Sequence, residues 1–193
     1  SVIISIDSYK AEVVRAAISE GANMVNSLGG FSFDPSLPLV IGKDIPILIY
    51  HIKGKPKDMQ KGEVVYRDVV EDIKEFFEKQ IAFGLSEGIK REQFLIDPGI
   101  GFGKTVDQNL EIIKRLSKFK SLGLPICIGV SRKSHLGKIL QSDLKLASVP
   151  LPDERLEASL AETAVAVLNG AKIVRTHDVL QTRNFLTILD KLK

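Results

Sequence analysis

The sequence predicts an α/β protein in which parallel strands alternate with helices that pack outside the sheet. Three observations support this fold class. Short apolar runs alternate with helix-like segments six times along the 193 residues. The runs are uninterrupted rather than alternating, as expected for strands that are buried on both faces. A polar or charged residue follows every run, so candidate functional groups lie at the ends of the strands.

The six units follow one another along the chain. The predicted strands are residues 2–6, 24–25, 46–50, 94–96, 126–130 and 173–174. The predicted helices are residues 9–20, 64–87, 107–119, 153–168 and 179–192, with a short helix or turn opening at 34–35. Ser8 is suited to cap the first helix. The long second helix carries apolar side chains at helical spacing from Val65 to Phe83, and a Lys- and Gly-rich loop at 53–61 precedes it.

Two closures of such a sheet compete: an open doubly wound sheet, or most of a (β/α)8 barrel of the TIM-barrel type. An open sheet concentrates functional residues at one switch point. Here polar residues follow all six strands, which favours the mouth of a barrel. They are Asp7, Asn26, His51, Asp97, Arg132 with Lys133, and Arg175 with His177. A full barrel typically needs about 250 residues, so the prediction is an incomplete barrel of about six βα units, forming a single domain over residues 1–193.

Composition narrows the class of partner and the compartment. The formal charge of +3 is too small to argue for nucleic acid, and no apolar run is long enough to cross a membrane. The single cysteine, Cys127, lies in an apolar run, so it is interpreted as a small buried side chain rather than a nucleophile. A chain with one cysteine forms no internal disulfide, which predicts a cytoplasmic protein.

The most informative stretch is Asp-Pro-Gly-Ile-Gly-Phe-Gly-Lys at residues 97–104. An acid stands at the end of a buried strand, and three alternate glycines follow it. Because glycine costs conformational entropy, this density indicates backbone that bends sharply or lies close to a ligand. An ordinary strand-to-helix loop is the alternative.

The strand ends divide by charge. Asp7, Asn26 and Asp97 form an acidic, hydrogen-bonding side of the predicted mouth. The cationic side comprises Arg132, Lys133, Arg175 and His177. Guanidinium and ammonium groups suit phosphate oxygens, and barrels frequently bind phosphate after their last two strands. A buried carboxylate needs donors, which the amino-amide edge of a planar heterocycle would supply.

Simpler interpretations of single residues stay open. Asp7 or Asp97 could cap a helix, and Arg175 could pair with Asp178. His51 is expected to be a packed, hydrogen-bonded histidine, whereas His135 is expected on the surface of a helix or loop. The three histidines are dispersed and show no metal-ligand spacing, so the sequence predicts no metal site in this chain.

Four stretches together resemble the dihydropteroate synthase family. They are residues 4–10, 97–104, 131–134 (Ser-Arg-Lys-Ser) and 174–178 (Val-Arg-Thr-His-Asp). The stretch at 97–104 alone would suggest pterin binding. The last two stretches favour the synthases over pterin-dependent methyltransferases, which are similar over the acidic motifs.

The resemblance implies an eight-fold barrel and a transferase of folate biosynthesis. Such an enzyme joins 6-hydroxymethyl-7,8-dihydropterin diphosphate to p-aminobenzoate and releases diphosphate, with Mg²⁺. Carried onto this chain, the pterin would be held by Asp7, Asn26, Asp97 and Lys133. The diphosphate would be bound by Arg175 and His177, and the aminobenzoate would lie near Phe102, Arg132 and Ser134. Gly101 is also implied to bind substrate. The implied catalytic residues are Asp97, Lys133, Arg175 and His177.

The chain also departs from the family. Ser27 replaces the second residue of the usual Asn-Asp pair, and Tyr50 replaces a common Met, which is expected to narrow the pterin pocket. The first two βα units, with the main protein ligand of Mg²⁺, are expected to be absent. A homodimer or another association is therefore expected to cover the open barrel edges. The alternatives are a pterin-binding module without turnover and a methyltransferase domain.

Overall fold

The computed structural model describes residues 2–54 and 65–192, which form six strands and six α-helices. The strands are β1 (Ser5–Asp7), β2 (Met24–Leu28), β3 (Ile47–Tyr50), β4 (Phe94–Asp97), β5 (Cys127–Ile128) and β6 (Ile173–Val174). The helices are α1 (Ala11–Ser19), α2 (Val69–Ser86), α3 (Val106–Lys114), α4 (Ser134–Asp143), α5 (Leu156–Leu168) and α6 (Val179–Leu192). Short 3-10 turns, at Leu37–Val40 and Leu116–Leu122 among others, complete the connections.

The strands are parallel and neighbour one another in chain order. Strands β1 to β4 form one sheet in that order, and β5 pairs with β6. A bridge between Ile96 and Ile126 joins the two groups. Because the order never reverses, the described strands contain no switch point of the kind that an open doubly wound sheet requires. The barrel-type interpretation of the sequence is therefore confirmed.

The register places the acidic strand ends on one face of the sheet. Asp7 pairs with Asn26, and Tyr50 pairs with Asp97. Alternate residues of β2 to β4 point the other way and join the hydrophobic core against the helices: Val25, Ile47, Ile49, Phe94 and Ile96. The inner face therefore carries the polar groups, and the outer face anchors the helices.

The core between sheet and helices is dominated by aromatic and branched side chains. Phe31, Phe77, Phe94 and Phe119 are each at most 2% exposed. Phe77 packs edge-on against Phe119, with ring centroids 5.9 Å apart, and so ties α2 to the turn that follows α3. This layer holds β4, and with it Asp97, in a fixed position.

The first predicted strand is wrong at its start. Val2, Ile3 and Ile4 were predicted to be buried in a strand, but they are 84%, 71% and 57% exposed and precede β1. The first helix also begins later than predicted. The Asp34 carboxylate accepts the Ala11 N–H from 23 residues away, whereas the Ser8 hydroxyl accepts the N–H of Lys10, which precedes the helix.

Helix α2 begins at Val69 rather than near residue 64. Asp68 caps it by accepting the N–H groups of Val70 and Glu71, so the prediction that Val65 lies on its apolar face is wrong. Most of the predicted loop at 53–61 lies outside the described residues.

Helix α4 was not predicted. Its residue His135 was expected at the surface but is 3% exposed, because its Nε2 lies 3.0 Å from the carboxylate of Glu162 on α5. Cys127 is buried, as predicted. In the described part of the chain, no helix is both long and apolar enough to cross a bilayer.

Candidate active site

Asp97 lies at the centre of the mouth, at the end of β4, and is 1% exposed. Its Oδ1 accepts the N–H of Gly99 at 2.7 Å. Its Oδ2 lies 3.5 Å from Nη2 of Arg175 and has no hydrogen-bond donor among the described residues. Burial raises the pKa of the carboxyl group, while Arg175 and the Gly99 N–H oppose that rise. A buried acceptor is thus held beside a guanidinium, with one oxygen available to a ligand donor.

Tyr50 links the acidic and cationic sides. Its hydroxyl donates to Oδ1 of Asp7 at 3.1 Å, and its side chain is 4% exposed. Cζ of Arg175 lies 5.4 Å from the centre of the Tyr50 ring, and Nη1 lies 4.0 Å from Oδ2 of Asp7. Burial raises the pKa of the Tyr50 phenol, so the hydroxyl stays a donor at neutral pH. Arg175 therefore lies between two carboxylates and over an aromatic ring.

Asn26 supplies a second buried acceptor. It is 5% exposed, and its Oδ1 has no hydrogen-bond donor among the described residues. Its neighbour Ser27 has its side chain on the opposite face, and its hydroxyl donates to the carbonyl of Gly30 at 2.6 Å. Ser27 therefore secures the loop after β2, and its departure from the family pattern does not reach the mouth.

The cationic side encloses a cavity of about 330 Å³. Its lining residues are Gly129, Ser131, Lys133, Arg175, Thr176 and His177. Nδ1 of His177 lies 3.0 Å from the hydroxyl oxygen of Ser131, which also accepts the His177 N–H. Helix α4 begins directly after Lys133, whose own side chain makes no capping hydrogen bond to it. Cationic side chains beside a helix N-terminus suit an anion.

The loop at 97–104 is packed against protein on both sides. A Cβ on Gly99 would lie 1.8 Å from the carbonyl oxygen of His51. Gly101 lies against the side chain of Lys133, whose ammonium is 4.2 Å from the centre of the Phe102 ring. The close backbone approach predicted from the glycines is therefore real, and at Gly99 the close neighbour is His51, the residue that follows β3.

Replacing Gly99 with alanine is expected to destabilise the protein strongly. An alanine there would be strained by the φ of +71°, and its Cβ would also overlap the His51 carbonyl oxygen, so two separate costs add. Gly88→Ala is the matched control, because Gly88 has φ +90° and no heavy atom within 4 Å of an added Cβ. We expect Gly88→Ala to cost about 1 kcal/mol and Gly99→Ala at least about 3 kcal/mol. Urea unfolding measures both, and equal costs would mean that the contact with His51 is unimportant.

Arg132 and Ser134 are placed differently from the other predicted residues. The guanidinium of Arg132 pairs with Asp178, with Nε donating at 3.1 Å. It is thus Arg132, and not Arg175, that pairs with Asp178. Ser134 is the exposed first residue of α4. Neither side chain lines the cavity described above.

The residues of the mouth do not fit a magnesium ion. Among residues 2–54 and 65–192, no three side chains from histidine, cysteine, aspartate or glutamate converge on one point. Asp7 and Asp97 both lie within 4.0 Å of the Arg175 guanidinium, whose positive charge opposes a divalent cation there. The magnesium requirement remains a prediction from the resemblance.

Sequence reasoning missed four residues of this site. Ser131 and Thr176 lie within stretches that carried the resemblance, so their position beside Lys133 and Arg175 was an available signal. No signal in the sequence pointed to Gly129, because its closeness to Arg175 depends on the pairing of β5 with β6. Tyr50 was noted only as a departure, although it contacts Asp7 and Phe102.

The observations so far describe a barrel-type protein with a buried carboxylate beside a cavity lined by cationic side chains at its strand ends. The chain belongs to the pterin binding enzyme family, whose profile matches residues 1–177. Its sequence relatives include the dihydropteroate synthase of Synechocystis, which is 39% identical over 190 residues. That alignment covers 98% of this chain and 63% of the relative, so the chain spans less than two thirds of its length.

Solved structures give the same family. A dihydropteroate synthase from Stenotrophomonas maltophilia superposes with a TM-score of 0.89 at 36% identity, covering 99% of this chain and 69% of that one. The Xanthomonas albilineans enzyme in complex with 7,8-dihydropteroate reaches 0.86 at 30% identity, covering 99% and 67%. The resemblance to dihydropteroate synthase is therefore confirmed.

Proposed function

We propose that this chain carries the pterin and diphosphate sites of a dihydropteroate synthase. The reaction is the condensation of 6-hydroxymethyl-7,8-dihydropterin diphosphate with p-aminobenzoate. The observation that carries the proposal is the buried Asp97 carboxylate at the edge of a cationic cavity. The relatives reported above are synthases, which favours this reaction over the methyltransferase alternative.

The acidic wall suits the pterin ring. Oδ2 of Asp97 and Oδ1 of Asn26 are buried acceptors that find no donor within residues 2–54 and 65–192, and an unpaired buried polar group is costly. The amino-amide edge of a pterin offers neighbouring N–H donors, which would satisfy such acceptors. Asp7 adds a second carboxylate at the rim, held by Tyr50. The product-bound Xanthomonas albilineans structure supports a ligand of this class.

The cationic wall suits the leaving group. In the proposed reaction the bond between the pterin methylene carbon and the diphosphate oxygen breaks, and the diphosphate keeps the electron pair. Lys133, Arg175 and His177 line the cavity where that negative charge would develop, and preorganised donors stabilise it there. The arylamine nitrogen then bonds to the methylene carbon and releases a proton to solvent. Phe102, beside Lys133, would flank the incoming ring.

Calorimetry and a product assay on the same preparation test this function. We expect binding of the pterin diphosphate, followed by release of diphosphate and formation of 7,8-dihydropteroate once p-aminobenzoate is added. Binding without product would instead support a pterin-binding module that does not turn over alone. Absence of binding would refute both, provided that circular dichroism shows a folded protein.

We further propose that residues 1–193 form one domain and associate through its exposed edges. Apolar side chains are exposed at both ends of the strand order: Val2 and Ile3 before β1, and Val179 and Ile188 on α6, each at least 62% exposed. Such surfaces favour association. We expect sedimentation velocity to show a dimer or larger species, and Ile188→Glu to weaken it relative to the exposed polar control Lys118→Glu. A monomer at high concentration would contradict the proposal.

A further inference from the structure

The Lys104 side chain turns back onto its own loop at 99–103 and does not line the cavity. Its Nζ is 2.8 Å from the carbonyl oxygen of Gly99, 3.1 Å from that of Phe102 and 3.0 Å from Nδ1 of His51. Three acceptors thus surround one nitrogen that carries three hydrogens when protonated. Two of these acceptors belong to the loop, and the third belongs to the residue that follows β3.

The surroundings of Lys104 bring the pKa of its side chain close to neutral pH. Burial lowers its pKa from 10.5 to about 7; the Asp97 carboxylate opposes this decrease, and the Lys133 ammonium adds to it. Burial and the charges of Lys104 and Lys53 hold the pKa of His51 well below its usual range. His51 is therefore neutral, and its Nδ1 can accept a hydrogen from the ammonium.

Loss of the proton changes what Lys104 can hold. A neutral amine has two hydrogens, so three acceptors can no longer all be satisfied unless the His51 ring donates instead. Charge-assisted hydrogen bonds to the two loop carbonyls are also replaced by weaker neutral ones. Hydrogen bonds of the loop that do not involve Lys104 remain: the Asn109 side chain accepts the Gly101 N–H at 2.7 Å, the Asp97 carboxylate accepts the Gly99 N–H at 2.7 Å, and the Tyr66 hydroxyl donates to the Gly103 carbonyl at 3.3 Å.

Phe102 connects the loop to the cationic side of the mouth. The Lys133 ammonium lies 4.2 Å from the Phe102 ring centre, and the Tyr50 ring lies 5.4 Å from it. Gly101 also contacts the Lys133 side chain. A shift of the loop would therefore move Lys133, which lines the anion cavity.

We propose that Lys104 is a positioning residue: its ammonium holds the loop at 99–103 against β3, so that Phe102 and Lys133 are set for the ligand. When the amine is neutral, that hold is weakened. The effect on ligands rests on the proposed function, whereas the effect on the loop does not.

A tryptophan at position 102 reports on the loop directly, because the chain has none. In the Phe102→Trp background we expect the emission to change with a midpoint near pH 7. Adding Lys104→Arg keeps a positive charge throughout and should fix the emission close to the low-pH value. Adding Lys104→Met removes the charge and should fix it close to the high-pH value. An unchanged transition in the Met variant would overturn the proposal.

A second measurement does not depend on the reporter. In the chain with Phe102 retained, titration with inorganic diphosphate at low pH should show affinity weakened roughly fivefold by Lys104→Met. The loss should shrink above pH 8, where Lys104 is already neutral. If the Lys104→Met variant and the unmodified chain bound diphosphate equally at both pH values, the link between Lys104 and the cationic side would be contradicted. A loop transition without any pterin binding would refute the proposed function and leave this inference standing.

Discussion

Replacing Asp97 with asparagine is expected to lower the affinity for the pterin diphosphate roughly a hundredfold to ten-thousandfold. Asparagine has nearly the same shape and can still accept the Gly99 N–H through its carbonyl oxygen. The other oxygen becomes an amino group, so a donor would face the donors of the pterin ring and the Arg175 guanidinium. Both contacts change from attractive to repulsive. Calorimetry with the pterin diphosphate measures the loss.

The same substitution is expected to leave the fold at least as stable at neutral pH. Burial raises the pKa of Asp97 above the value of 3.8 that it has when exposed. The folded state therefore binds more protons than the unfolded state between these two values, and stability falls as pH rises through that window. Asparagine carries no charge, so it does not incur the cost of burying an ionised carboxylate. Weak binding together with a lower melting temperature at pH 7 would instead indicate misfolding, and Asp143→Asn, at an exposed position, is the control.

Replacing Arg175 with methionine is expected to weaken diphosphate binding roughly a hundredfold. Methionine keeps part of the packing against Tyr50 but removes the guanidinium that lies near both carboxylates. Titration with inorganic diphosphate isolates this effect from the pterin ring. Arg183→Met, on the exposed side of α6, is the matched control and should bind as the unmodified chain does. Similar losses in both variants would show that only net charge matters.

A double substitution separates the two roles of Arg175. Arg175→Met leaves the buried Asp97 without its nearest cation, so it should lower the melting temperature at neutral pH. Adding Asp97→Asn removes the uncompensated charge and should restore stability without restoring diphosphate binding. If the second change did not restore stability, the two side chains would not be coupled as their 3.5 Å separation implies.

Local pattern was sufficient to predict the barrel-type fold and most of the mouth. The strands were apolar runs with polar ends, and parallel strands bring those ends to one edge. Asp7, Asn26 and Asp97 accordingly lie together on one face, and Lys133, Arg175 and His177 lie around one cavity. Their roles in catalysis stay predictions, which the substitutions above test.

Helix α4 shows where local pattern failed. Its sequence includes Gly137, which lowers the intrinsic helix propensity of a ten-residue segment. The helix is held instead by the contact of His135 with Glu162, 27 residues further along. A buried pair of this kind leaves no signal at the position of either residue alone.

Residue patterning alone predicted which chemical groups would meet: carboxylates and an amide after the early strands, and cations after the last two. This prediction followed from hydrophobic periodicity, which is a property of residues that are close together along the chain. Only the tertiary structure decided the partners. It pairs Arg132 with Asp178, Arg175 with Asp97, Tyr50 with Asp7 and Lys104 with His51. These contacts join residues 43 to 78 positions apart, and they depend on strand register and backbone turns that no local pattern encodes.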